Sequence, residues 1–208
     1  MTAHDSPAST THRIQVVRGA DIAPYLDDVA RLRIAVFADW PYLYQGDAAY
    51  ERDYLAAYAR SADSVFVLAF DGDEVVGAST GLPLLDDAEA FSAPLAAQGL
   101  DAAKVFYFGE SVLLPGWRGR GIGHAFFDAR ETHARSLGRF GTTAFCAVDR
   151  DRSDPRRPAG HRDNDAFWHK RGYMRRDGLA VTLPWKEPDR GEVSHRLTFW
   201  TRPLEPIA

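Results

Sequence analysis

The sequence is short of cysteine. Cys146 is the only one, so no intrachain disulfide can form and a cysteine-based structural zinc site is excluded. It is also short of positive charge: 25 Lys and Arg stand against 29 Asp and Glu, a formal net charge of -4. A nucleic-acid partner normally demands the opposite sign, although a local basic patch would not show in the sum. Long hydrophobic runs are missing as well, since no stretch approaches the roughly 18–20 apolar residues a membrane helix needs. Residues 1–11 are rich in Ser, Thr, Ala and His and have neither the positive start nor the apolar run of a signal peptide. A flexible tail over 1–12 is expected. These gaps together predict a cytoplasmic protein with no nucleic-acid, membrane or metal partner. What is present, 45% hydrophobic and 26% charged residues in a 208-residue chain, suffices for one globular domain over 13–208.

Periodicity gives the order of the elements. Ile14–Arg18 reads as a strand, followed by a helix capped by Asp21 with Ile22, Leu26, Val29, Leu32 and Val36 on its apolar stripe. A dense aromatic segment, Trp40-Pro-Tyr-Leu-Tyr44, precedes a second helix over Ala48–Ala59. Ser64–Phe70 and Glu74–Thr80 flank Asp71-Gly72-Asp73, the strongest hairpin signal in the chain. Pro83–Ala103 is a long Ala/Asp-rich connection with room for short helices only. Val105–Leu114 predicts a central strand bent at Gly109, Gly121–Leu137 a long helix, and Thr142–Val148 a buried strand. A charged loop, a short helix over Asn164–Arg171 and two strands, Leu179–Leu183 and His195–Thr201, complete a single α/β (α+β) domain with a mixed sheet.

The informative segment is Leu113-Leu-Pro-Gly-Trp-Arg-Gly-Arg-Gly-Ile-Gly-His124, a strand running through a glycine-rich turn into a helix. Such a turn is an anion site, because the first helical turn has unpaired N–H groups and small residues let a phosphate approach them. Arg118 and Arg120 add positive charge there. No Gly-Lys-Ser/Thr follows, which excludes a P-loop. Gly119, Gly121 and Gly123 are spaced G-x-G-x-G, and His124 stands where a dinucleotide fingerprint needs its last glycine.

The remaining pattern, Arg118-x-x-Gly121-x-Gly123 after an apolar strand and a proline, resembles motif A of the GNAT N-acetyltransferase superfamily. The order of elements from Ile14 to Leu204 and the segment Phe167-Trp-His-Lys-Arg-Gly-Tyr173 resemble that family too. The resemblance implies a mostly antiparallel central sheet flanked by helices, with acetyl-CoA as co-substrate. The pantetheine arm would lie along Ser111, Val112 and Leu113 like an added strand. The pyrophosphate would meet N–H groups of Gly119, Arg120, Gly121, Ile122, Gly123 and His124, beside Arg118. A backbone N–H near Leu113 would polarise the thioester. An amine would attack directly, with Glu110 as the base that removes its proton.

The general acid departs from the pattern. Relatives often carry a Tyr where this chain has Trp168, whose indole cannot serve, and the Asn that often begins the segment falls at His161. His161 is therefore the candidate acid, with Tyr173, His169 and water left open. Cys146 is read as a small core residue rather than a nucleophile. On the acceptor side, Trp40, Tyr42, Tyr44, Tyr50 and Tyr54 suggest an aromatic cage, with Asp39 and Asp47 to attract an amine. The arginines at 150, 152, 156, 157 and 162 suit either a CoA 3′-phosphate or a solvated loop. A small-molecule primary amine is the expected acceptor. A protein N-terminus or lysine, a CoA-binding module without turnover, and a homodimer stay open.

Overall fold

The computed structural model describes residues 12–86 and 89–205, so the expected tail lies outside the described residues apart from His12. β1 (Arg13–Arg18) leads through a 3-10 segment, Gly19–Tyr25, into α1 (Leu26–Phe37). The cap predicted at Asp21 is not used: α1 starts at Leu26 without a side-chain cap. Pro24 sits inside the tight segment, where its missing N–H and fixed φ do no harm. α2 (Ala48–Arg60) begins as its sequence suggests, with Asp47 Oδ1 accepting the Tyr50 N–H at 2.9 Å.

β2 (Val65–Asp71) and β3 (Glu74–Pro83) form the predicted hairpin, turning at Gly72 with φ +57°. The long connection holds a short helix, α3 (Glu89–Ala97), between two 3-10 turns. Downstream come β4 (Val105–Tyr107), β5 (Ser111–Leu113), α4 (Ile122–Ser136), β6 (Thr142–Val148) and α5 (Asp165–Lys170). β7 (Met174–Glu187) and β8 (Gly191–Pro203) pair as a hairpin much longer than the two expected strands. Polar alternation on the solvent face hides the ends of such strands from a hydropathy reading.

The sheet runs β1-β2-β3-β4-β6-β8-β7, with β5 also on β3. All pairings are antiparallel except β4 with β6. Its centre is covered on both faces. Val29, Leu32 and Leu55 from α1 and α2 pack with Phe66, Leu68 and Phe70, while Ile122, Phe126 and Phe127 from α4 pack with Val65, Val67 and Val76.

The strand predicted over Val105–Leu114 is broken in two, and this is the feature that makes the site. On β3, Leu82 pairs with Tyr107 and Ser79 with Ser111. Three steps along β3 therefore answer four steps along the other chain, which is a β-bulge of one residue. Up to the bulge, β4 lies parallel to β6 and the Phe108 N–H still donates to Ala144 O at 2.8 Å. Beyond it, β5 follows β3 while β6 follows β8. The two strands splay apart and leave facing edges open.

Candidate active site

Gly109 makes the bulge tight. A Cβ there would lie 1.9 Å from Tyr58 Oη and 2.7 Å from Thr80 Oγ1. Thr80 is threaded through the irregularity: its N–H donates to Glu110 O (3.0 Å), its carbonyl accepts from Gly109 N–H (3.2 Å), and its hydroxyl accepts from Glu110 N–H (3.2 Å). Behind it lies Arg130 of α4, only 1% exposed. One of its nitrogens donates to both Thr80 O and Glu110 O at 3.1 Å, and another to Ser111 Oγ at 2.8 Å. Its guanidinium lies 4.2 Å from the Phe108 ring centre. Burial lowers its pKa to about 10, which still leaves it charged at neutral pH.

The splay opens a cavity of about 840 Å³, within the range of small-molecule and cofactor sites. Glu110, Ser111 and Leu113 line one wall, and Phe145–Asp149 of β6 and beyond line the other. Alternation decides which backbone groups face it. Glu110 O and Leu114 N–H bond to β3, so Ser111 and Leu113 turn their N–H and C=O groups outward. Val112, placed by the sequence in the same role, is fully buried and by that alternation directs its amide to β3. Leu113 O receives Arg118 Nε at 3.2 Å.

Below the strand end, Gly119 (φ +76°) and Gly121 (φ +81°) take left-handed conformations, and Gly121 caps α4. Nothing lies within 4 Å of a Cβ built on either, so the turn is open on its outer side. His124 and Ala125 donate back to Gly121 O at 3.0 and 3.2 Å; the N–H groups ahead of them precede the first helical bonds. Ile122 buries its side chain in the core, so its backbone alone is on offer. Arg120 folds over Trp117 at 4.5 Å, and the His124 ring meets Phe167 of α5 at 4.9 Å.

The Glu110 side chain is 1% exposed and sits at the inner end of the cavity. Thr80 Oγ1 donates to its Oε1 at 2.8 Å; Arg33 and the Tyr54 hydroxyl (3.4 Å) donate to its Oε2. A carboxylate has about four lone-pair sites, which leaves one on Oε1. Arg33 is shared with the buried Glu51 of α2. Burial opposes the charge on Arg33, but Glu110, Tyr54 and Glu51 outweigh it and raise its pKa well above the usual value. Arg33, Glu51, Thr80 and Arg130 were not picked out from the sequence. Arg130 did leave a trace, falling four residues after Phe126 on the buried stripe of α4.

Of the candidate acids, His161 lines the cavity. Its Nε2 lies 3.4 Å from Asp163 Oδ1, and its ring meets Trp40 edge-on at 6.2 Å. Tyr173 is fully buried beneath the site, bonded to Thr143 (3.0 Å) and Glu131 (3.2 Å), and burial raises its pKa. His169 packs against Trp200 on the outer side. Trp168 reaches the wall between Phe145 and Trp200. Cys146 is buried on β6 where that strand borders the cavity.

The predicted aromatic cage does not assemble. Trp40 and Tyr42 line the cavity, whereas Tyr44 and Tyr50 do not. Tyr50 is 60% exposed in the first turn of α2, and Tyr44 lies against Glu51. Asp47 is spent as the cap of α2. The segment carrying Trp40 and Tyr42 has a cis Trp40–Pro41 bond and is held by Arg150, which donates to Pro41 O (2.6 Å) and Tyr42 O (2.7 Å) and pairs with Glu187 (2.7 Å). Among the described residues no group of three or more His, Cys, Asp or Glu could hold a metal ion, and no helix is long and apolar enough to cross a membrane.

No curated protein is similar enough to match the chain. Solved structures are. An N-acetyltransferase of Staphylococcus aureus Mu50 has a TM-score of 0.58 at 12% identity, covering 94% of this chain and 99% of that one. The Salmonella typhimurium protein yncA, solved with acetyl-CoA, has a TM-score of 0.54 at 14% identity over 95% and 96% of the two chains. An aminoglycoside 6'-N-acetyltransferase complexed with coenzyme A reaches 0.56 at 17% identity over 93% and 99%. At these identities the likeness is one of fold: an open, mostly antiparallel sheet flanked by helices. A model of the Acetyltransferase (GNAT) family matches residues 31–158, more than half of the sequence, and the chain belongs to that family.

Proposed function

We propose that this acetyltransferase moves the acetyl group of acetyl-CoA to the primary amine of a small molecule by direct attack, in the cytoplasm. The observation that carries the reading is the splay between β5 and β6. Two open strand edges beside a glycine turn suit a ligand that is an extended amide chain at one end and a pyrophosphate at the other. Ser111 and Leu113 bind the pantetheine amides, and N–H groups from Gly119 to His124 take the pyrophosphate beside Arg118. Leu113 N–H polarises the thioester carbonyl where its charge grows.

The acceptor enters between Trp40, Tyr42 and the loop that follows β6. Glu110 Oε1, with its remaining lone pair, takes the ammonium proton, directly or through one water. His161, oriented by Asp163, returns a proton to the departing CoA thiolate. The experiment is free-thiol release from acetyl-CoA over a panel of amines, alongside the melting temperature with acetyl-CoA. Thiol release with at least one small amine is expected. Thermal protection without any thiol release would leave a binding module, and release only with peptides would assign the acceptor to protein.

A further inference from the structure

The cavity is electrically lopsided. At its inner end two buried carboxylates, Glu51 and Glu110, stand against two guanidiniums, Arg33 and Arg130, so the charges there balance. At the mouth arginines outnumber the carboxylates Asp149, Asp163 and Asp165. The loop after β6 brings Arg150, Arg152, Arg157 and Arg162 to the wall. Arg150 is neutralised by Glu187 at 2.7 Å and Arg157 by Asp163 at 2.9 Å. Arg152 and Arg162 have no hydrogen bond or ion pair among the described residues.

The loop that carries them also reaches Trp40. The Arg150 guanidinium stands 5.8 Å from the Trp40 ring centre, and the His161 ring meets that same indole. Arg152 and Arg162 line the same cavity, on the loop that carries Arg150 and His161 to that indole. The glycine turn has its own arginines, Arg118 and Arg120. A guanidinium fork matches a carboxylate or phosphonate in two parallel bonds, and it repels a polycation.

Resting on the acetyl-transfer reading above, we propose that the acceptor is an amine that also carries an anionic group. Its ammonium points to the Glu110 end and its carboxylate or phosphonate is held by Arg152 and Arg162. The same arginines would otherwise suit the 3′-phosphate of the cofactor, and the test separates the two sources of anion.

Thiol release is measured with matched acceptors: an amino acid or aminoalkylphosphonate against the amide or decarboxylated amine bearing the same amino group. The acid is expected to lead in kcat/KM by about tenfold to hundredfold, the span of one charge-assisted contact. Arg152→Ala and Arg162→Ala should each shrink that lead about tenfold through KM, and Arg152→Lys should return part of it. Acetyl-CoA affinity should hold in all three. Equal use of acid and amide, or preference for a neutral or polycationic amine, overturns the inference and leaves acetyl transfer standing. Weaker acetyl-CoA binding in the alanine variants, with dephospho-CoA binding unchanged, assigns the arginines to the 3′-phosphate and overturns it too. Absence of thiol release with every amine overturns both readings.

Discussion

Gly109 approaches Tyr58 so closely that a methyl group on its Cα would sit 1.9 Å from the phenolic oxygen. Its φ is not among the left-handed ones, so the demand is for space and not for backbone freedom. Gly109→Ala should therefore push the bulge off β3, at about 1–3 kcal/mol, the usual cost of overpacking. Acetyl-CoA protection should fall with it, because β5 carries the proposed pantetheine edge. Combining it with Tyr58→Phe should recover part of the loss, as the clash with the oxygen disappears. A urea midpoint unchanged by Gly109→Ala would mean that the strands splay for another reason.

Arg130 gives a second donor to two carbonyls at the bulge, Thr80 O and Glu110 O, each of which already accepts one backbone N–H. Arg130→Met keeps much of the packing against Phe108 and Phe127 but removes the charged donor from Thr80 O, Glu110 O and Ser111 Oγ. A lost hydrogen bond from a charged donor costs about 1.5–3 kcal/mol. Arg130→Lys should rescue little, because one ammonium cannot span both carbonyls and Ser111 Oγ in a planar fork. Denaturant melts of the two variants check this, and a Lys variant as stable as the parent would show that charge alone is required.

The sequence displayed the scaffold of this site better than its chemistry. The β2–β3 hairpin, the β6 strand and the glycine turn are local: alternation, a Gly at a positive φ and a run of apolar residues each carry their own signal. The split of β4 from β5 is not local. Gly109 marked an irregularity, but the register slip depends on Tyr58 and Thr80, some 51 and 29 residues away. Buried charges were invisible for a similar reason. Arg33 and Glu51 look like any surface residues of two amphipathic helices until tertiary packing brings them onto Glu110. The cage failed because proximity in sequence is not proximity on a face: Tyr50 lies where α2 meets solvent, while Tyr54 turns to Glu110.

His161 is expected to matter to turnover more than to binding. His161→Gln should lower kcat by about 10²-fold or more if the imidazole protonates the leaving thiolate, with acetyl-CoA affinity kept. Adding Trp168→Tyr places a phenol on the cavity wall and should restore part of the rate. An undiminished kcat in His161→Gln, across pH 6 to 9, would return the role to water.

Acid should weaken the fold through histidines that stay neutral when folded. His133 of α4 is buried, with Nε2 2.7 Å from Asp63 O and Nδ1 accepting from Arg18 Nε at 3.2 Å. The neutral ring therefore carries its proton on Nε2. Burial pushes its pKa below the usual 6.5; the Asp63 carbonyl opposes this and Arg18 adds to it. His195, stacked on Trp185 at 3.7 Å, is lowered the same way, by burial first and then by Arg150. For each, the unfolded chain takes up a proton near pH 6.5 while the folded one resists. Stability is full above that value and falls as pH drops from it toward the folded pKa. At lower pH Glu187 adds to the loss: burial raises its pKa, but bonds from Arg156 and Arg150 win and hold it below the ordinary value. His133→Gln offers the same donor and acceptor without a titrating ring. Its melting temperature should decline less steeply than the parent's from pH 7 to pH 5, with a residual slope from His195. Parallel declines in the two proteins would exclude His133 as a source of the acid sensitivity.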